Sequence, residues 1–317
     1  MIRTTAATAA LGLAVLVMPG RAAEPRWPAA SDAGAVTPHV VVISIDGLRP
    51  DAIADYDARV LQRLMAEGSY SLSARTITPS RTLPSHTSML TGVPPAVHGI
   101  TWNTDRTGET GAVEVQTVFE AVKIAGFSTA AFFSKSKLKH LNKPGTLDHA
   151  QAPTGLSVFS AAETVEQAAR YIRYRRPNLV FVHLAEPDAA GHSIGWMSFA
   201  YGWAVRRADG AVGEILEAAD DAYGEGNYSV IVTSDHGGHG RSHGDDSDAD
   251  MQIPWIAWGA GVLASGQLDG LVRTVDTAAT VLWLLGVRSG ADLHGRPVVS
   301  AYTPEARLAA GATISGL

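Results

Sequence analysis

Residues 37–48 read TPHVVVISIDGL. From Val40 to Ile45 the run is apolar almost without interruption, and it ends in Asp46 and Gly47. A strand with one wet face alternates apolar and polar side chains; an unbroken run belongs to a strand covered on both faces, as in a parallel sheet. The same pattern returns in NLVFVHLAEPD (178–188) and in YSVIVTSDHGG (228–238), each an apolar strand broken by an acidic residue. Between them lie helical segments: DARVLQRLMAEG (57–68, with Gly68 as its stop), VQTVFEAVKIAG (115–126), AETVEQAARYIR (162–173), YGWAVRRADGAVGEILEAADDA (201–222) and DTAATVLWLLGV (276–287). FSTAAFF (127–133) adds a further strand, and 137–160 reads as irregular, a lid or a long connection. Strands alternating with helices, with no compositional break, predict one α/β domain with a mostly parallel sheet.

The 317 residues, 46% of them hydrophobic, suffice for a large core. A net charge of −6 provides no basic surplus, so no nucleic-acid-binding surface is expected. Residues 1–23 predict a cleaved export signal: Arg3, then the apolar stretch Ala9–Met18, then small residues at Gly20, Ala22 and Ala23. That stretch is short of the roughly 20 residues that span a bilayer, so no stable membrane span is expected after cleavage, an uncleaved anchor being the alternative. Residues 24–317 are then the single catalytic domain, exported to the periplasm or secreted. The absence of cysteine excludes disulfides and thiolate metal sites.

Asp46, Asp188 and Asp235 each follow the carboxyl end of an apolar strand, the edge where open α/β sheets bind ligands. Three carboxylates gathered there repel one another unless a cation lies between them. His192 follows Asp188 by four residues, and His236, His239 and His243 follow Asp235. Carboxylate and imidazole without thiol suit zinc, with other divalent metals possible. The segment TPSRTLPSHTSMLTG (78–92) offers hydroxyls at the start of a short helix closed by Gly92. They are either ordinary caps or a mounted nucleophile.

Taken in order, VVISIDGLRPD, TPSRTLPSHTSMLTGVPPAVHGITWN, EPDAAGHSIG, VTSDHGGHGRSHG and TVDTAATVLWLLGV resemble the alkaline phosphatase superfamily, and within it the type I phosphodiesterase/nucleotide pyrophosphatase branch. The resemblance covers roughly residues 38–300. It implies a three-layer α/β/α sandwich and two zinc ions, one held by Asp46, Asp235, His236 and the nucleophile Thr82, the other by Asp188, His192 and His243. Asn103 would donate a hydrogen bond to a phosphoryl oxygen. The implied activity is hydrolysis of phosphodiester or pyrophosphate bonds in a small-molecule phosphate ester, a nucleotide among the candidates, through a covalent phospho-threonine. A hydroxyl is a poor nucleophile until a metal lowers its pKa, which is the role zinc would have.

Alternatives are a monoester phosphatase, a phosphonate hydrolase, a phosphoethanolamine transferase, or a metal-binding protein without catalysis. A monoesterase needs an extra cation for the third anionic oxygen, and Arg81 is the candidate. Thr78 and Ser80 rival Thr82; Ser80 and Ser85 otherwise read as capping or supporting hydroxyls. His239 rivals His243. His86 and His98 are expected to make structural hydrogen bonds, His183 to be a satisfied core residue, Asp209 to be a buried partner of an arginine, and 245–250 (DDSDAD) to be a solvated loop. Trp102 fits core and leaving-group pocket equally. Ile77 stands where a sulfatase carries its oxidised cysteine or serine, which argues against that chemistry. Only seven positions separate His236 from His243, where nucleotide-cleaving members carry a long insertion, so nucleotide specificity is left open.

Overall fold

The apolar runs lie side by side. The structure is a computed structural model that describes residues 34–154 and 160–311 together with Met1 and Val158. The leader expected at 1–23 falls, but for Met1, outside the described residues. Eight strands are described: β1 (Val40–Ile45), β2 (Ser69–Arg75), β3 (Thr129–Phe132), β4 (His149–Gln151), β5 (Leu179–Leu184), β6 (Ser229–Thr233), β7 (Gln252–Gly259) and β8 (Gly266–Gln267). They form one sheet of order β4-β3-β5-β1-β6-β7-β2-β8. Pairing is parallel from β4 through β6 and again between β2 and β8, and antiparallel only where β7 joins β6 and β2.

β1 is the central strand, and its burial shows why it reads as a continuous apolar run. Val40 and Val42 point into one core; Val41, Ile43 and Ile45 point into the other. The first core is closed by helices Thr82–Thr91, Val118–Ile124 and Asp276–Leu284 and the second by Arg59–Glu67, Ala161–Arg175 and Phe199–Tyr223. Alternate side chains therefore feed two separate apolar layers, and the result is a three-layer α/β/α sandwich with a mostly parallel sheet. Among the described residues no helix is long and apolar enough to cross a membrane.

Residues 137–154 are more ordered than their sequence suggests, and of 155–160 only Val158 and Ser160 are among the described residues. A 3₁₀ helix spans Ser136–Leu141 with Leu138 and Leu141 buried, and β4 follows. Asp209 also differs from expectation. Its carboxylate accepts the backbone N–H groups of Val60 (3.1 Å) and Leu61 (2.9 Å), so it caps helix Arg59–Glu67 from a neighbouring helix, and among the described residues it pairs with no arginine. Ala58, at the N-cap, has no side chain able to do this. Asp209→Ala should therefore lower unfolding free energy by about 1–2 kcal/mol, since two donors at a helix start lose their acceptor. Chemical denaturation of the metal-loaded protein checks it.

Candidate active site and metal centre

β5, β1 and β6 are adjacent and parallel, so their carboxyl ends carry Asp188, Asp46 and Asp235 to one place. Gly47 makes the approach possible. It sits at φ +72°, a side chain there would press on Asp188, and its N–H donates to Asp235 Oδ1 at 3.1 Å. All three carboxylates are buried. Asp46 Oδ1, Asp188 Oδ1 and Asp235 Oδ2 are buried without a hydrogen-bond donor among the described residues.

The histidines explain what those oxygens face. His236 Nδ1–H donates to Gly237 O at 2.8 Å, His243 Nδ1–H to Ser80 O at 2.7 Å, and His192 Nδ1–H to Arg241 O at 3.1 Å. Each imidazole is thereby fixed in the tautomer whose Nε2 carries a lone pair. His236 Nε2 lies 3.4 Å from Asp46 Oδ1 and 3.2 Å from Asp235 Oδ2; His192 and His243 Nε2 lie 3.4 and 3.6 Å from Asp188 Oδ1. Lone pair thus faces lone pair, which is unfavourable unless a cation stands between. Two ligand atoms each about 2.0–2.1 Å from a tetrahedral zinc are about 3.3 Å apart, so the spacing fits an ion of that kind. Asp46, Asp235 and His236 form one set, and Asp188, His236 and His243 another, each with ligand atoms within 4.8 Å of one another. His192, its side chain 47% exposed, borders the second set on the solvent side.

Thr82 begins helix Thr82–Thr91, whose end is closed by Gly92 in the left-handed region. Its Oγ1, fully buried, is 3.4 Å from His236 Nε2. The helix carries no side-chain cap. Ser80 and Ser85 are not caps: Ser80 Oγ donates to Asp245 O, and Ser85 Oγ to Asp235 O. Both brace the segment around Thr82 against the histidine loop. Thr78 Oγ1 donates to Asp246, and His86 bridges Ser44 Oγ and Thr82 O. His98 joins Ser88 Oγ to Ile100 N–H.

Asn103 Oδ1 accepts two donors, Leu83 N–H at 2.9 Å and Lys137 Nζ at 3.0 Å. Both can only donate, so the amide oxygen must face them and Nδ2 is left free to donate. One backbone N–H of the helix start, Leu83, is thus spent on Asn103 and is not available to an anion. His183 is buried and hydrogen-bonded, but it also orients the centre. Ser134 N–H donates to its Nδ1 at 3.2 Å, so Nε2–H donates to Asp46 Oδ2 at 2.9 Å. His239 is drawn away to Asp250 Oδ1 at 2.7 Å. The acidic run at 245–250 is solvated over its first four residues, as expected, and anchored at its end: Asp250 is fully buried and its Oδ2 accepts Gly244 and Asp245 N–H, while Asp248 pairs with Arg75. Trp102 packs on the core with Arg106 stacked at 5.4 Å. Arg81 is exposed and its side chain lies along Gly244.

Two residues escaped the sequence reading. Lys135 Nζ lies 2.7 Å from Asp46 Oδ2 and also contacts Asp188 Oδ2. Lys137 stands beside it at Asn103. Both follow β3 directly, at the same sheet edge, where the rule that found the aspartates would have found them.

The protein's own charges are unequal to the carboxylates. Burial works against ionising Asp46, yet Lys135 and His183 hold it well below the usual carboxylate range. Burial and the neighbouring Asp46 push Asp235 well above it. Burial also lowers His236, and brings His243 to about 4, so both are neutral ligands at pH 7. In metal-free protein Asp235 keeps its proton to higher pH when folded than when unfolded. Stability must then fall as pH rises from the ordinary carboxylate range towards that raised value. Asp235→Asn should remove this slope and raise metal-free stability near neutrality by on the order of 1–2 kcal/mol, while weakening the uptake of any divalent ion, zinc being the probe. Denaturation of chelator-treated protein across pH measures the first effect and zinc titration the second.

Comparison with known proteins places this geometry. The sequence profile of the family described as "Type I phosphodiesterase / nucleotide pyrophosphatase" matches residues 40–247. Human ectonucleotide pyrophosphatase/phosphodiesterase family member 1 is 25% identical over 230 residues, covering 68% of this chain and 24% of that protein. The chain thus spans about a quarter of that relative's length. Murine ectonucleotide pyrophosphatase/phosphodiesterase 5, solved as an inactive threonine-to-alanine variant with AMP, superposes with a TM-score of 0.70 at 17% identity, covering 84% of this chain and all of that one. Alkaline phosphatase PafA superposes with a TM-score of 0.70 at 14% identity, covering 84% and 99%.

Proposed function

The chain belongs to the type I phosphodiesterase/nucleotide pyrophosphatase family, within the alkaline phosphatase superfamily, and from that premise we propose that it is an exported zinc-dependent hydrolase of phosphodiester or pyrophosphate bonds that works through a phospho-threonine on Thr82. Phosphoester hydrolysis is the family's chemistry; the metal, the intermediate and the site roles are the proposal. The observation that carries it is the lone-pair arrangement: neutral Nε2 atoms and donor-less carboxylate oxygens converge within 3.2–3.6 Å beside the buried Thr82 hydroxyl. Asp46, Asp235, His236 and Thr82 would hold one ion, and Asp188, His192 and His243 the other. The ions would lower the pKa of the Thr82 hydroxyl and neutralise charge on the phosphoryl oxygens.

The chain's own residues do the rest. Helix Thr82–Thr91 aims the hydroxyl by fixing its backbone, through His86 on Thr82 O. Asn103 Nδ2, freed by the two donors on Oδ1, is the group to donate to a non-bridging oxygen. Thr82 Oγ displaces one leaving group, an alcohol or a phosphate, from phosphorus and leaves the other substituent in place; water then releases the phosphate monoester and restores the hydroxyl. A nucleotide is among the candidate substrates, in keeping with the AMP bound to the murine protein. Thr82→Ala should lower kcat by at least about a thousandfold while leaving zinc affinity largely intact. Quenched-flow mass spectrometry with a diester substrate should find on Thr82 of the wild type the phosphoryl group together with the substituent that did not leave. An active alanine variant would overturn the assignment.

Lys137 favours a second substrate class on the same centre, phosphate monoesters or phosphonates, which present a third anionic oxygen. It is a cation at the Asn103 side of the nucleophile, the role that Arg81 was expected to have. Burial, then Lys135, lowers it to about 8. A monoester is a dianion above about pH 6, so its kcat/KM should peak between that value and about 8, then fall as Lys137 loses its proton. Lys137→Ala should lower monoester kcat/KM by about 10–100-fold and leave an aryl diester nearly unchanged. The ratio of kcat/KM for bis-aryl diester and aryl monoester, across pH, reads both effects.

A further inference from the structure

Lys135 has a place in the centre that none of the roles above assigns. Its side chain is only 12% exposed, and its ammonium is shared by two carboxylates from neighbouring strands, Asp46 and Asp188. The division of oxygens is orderly. Oδ2 of both aspartates goes to Lys135, with His183 as a second donor to Asp46 Oδ2. Oδ1 of both has no donor among the described residues and faces the imidazole Nε2 atoms. Lys135 therefore need not leave when ions enter, since it holds the oxygens that the ions do not use.

We propose that Lys135 is a built-in third cation of the centre, which stabilises the metal-free fold and weakens metal binding. The charges require both effects. Asp46, Asp188 and Asp235 are three buried carboxylates with one ammonium in direct contact, so removing that ammonium leaves the empty centre more repulsive. The same ammonium stands one carboxylate away from either ion position and opposes each ion that enters. A purely structural lysine would behave otherwise: its loss would disorder Asp46 and Asp188, and stability and metal affinity would fall together.

The inference rests on the metal-dependent function proposed above, and the two can fail separately. The experiment compares wild type, Lys135→Met and Lys135→Arg. Chelator-treated protein is melted, and zinc is titrated against a chromophoric chelator without substrate. Lys135→Met should melt lower than wild type when metal-free and bind zinc roughly tenfold more tightly or better; Lys135→Arg should stay close to wild type in both. If Lys135→Met folds only in the presence of zinc, the effect is the same at larger amplitude. Unchanged melting, weaker zinc binding, or failure to fold even in saturating zinc would each overturn the inference. A wild type that binds no zinc would instead sink the metal-dependent function.

Discussion

The structure depends on one electrostatic constraint: three carboxylates, buried and delivered to one sheet edge by adjacent parallel strands, must be neutralised. β5, β1 and β6 cannot be paired in this register without bringing Asp188, Asp46 and Asp235 together. The protein answers in part with its own groups. Lys135 covers two of the carboxylates, His183 hydrogen-bonds Asp46, and Gly47 N–H serves Asp235. The balance remains negative, and the oxygens still without donors are those that face lone pairs. A site of this kind is organised for ions that its own side chains do not replace.

The second consequence is how much backbone is committed to orienting the imidazoles. His236, His243 and His192 each give Nδ1–H to a carbonyl, and each carbonyl lies on a loop held from elsewhere. Asp250 ties the turn after His243 through Gly244 and Asp245. Ser80 binds that same loop to the segment before Thr82 in both directions, through its carbonyl and its hydroxyl. The helix start at Thr82 and the histidine loop are therefore tied to each other, which keeps Thr82 and His236 in register. The short connection between His236 and His243 makes this economical, because no inserted domain has to be positioned.

The sequence made the central parallel strands, the helix at Thr82 and the three aspartates readable because burial on both faces leaves an unmistakable apolar run with a sharp polar end. β2 and β7 went unread for the converse reason. SYSLSAR alternates weakly with small polar residues, and QIPWIAWG carries Pro254 inside it. Their antiparallel pairing is a long-range property that neither segment announces. Asp209 looked like half of an ion pair because its real acceptor role, towards a helix start some 150 residues away, has no local signature. The lysines at 135 and 137 resemble solvated charges in a polar connection. Only the pairing of β3 with β5 and β5 with β1 brings them to the carboxylates.

That strand order also gives the site a direction. Across the edge, the segment after β3 contributes ammonium groups, those after β5 and β1 contribute carboxylates, and that after β6 contributes a carboxylate and imidazoles. The ammonium groups therefore come from the β3 flank and the carboxylate and imidazole clusters from β5, β1 and β6, with Thr82 beside His236 and Asn103 beside Lys137. Lys137 sits on the 3₁₀ segment Ser136–Leu141, half-buried, with its ammonium on Asn103 Oδ1. The carboxylates and imidazoles are thus placed by the ends of the central strands, and the ammonium groups by the connection that follows β3.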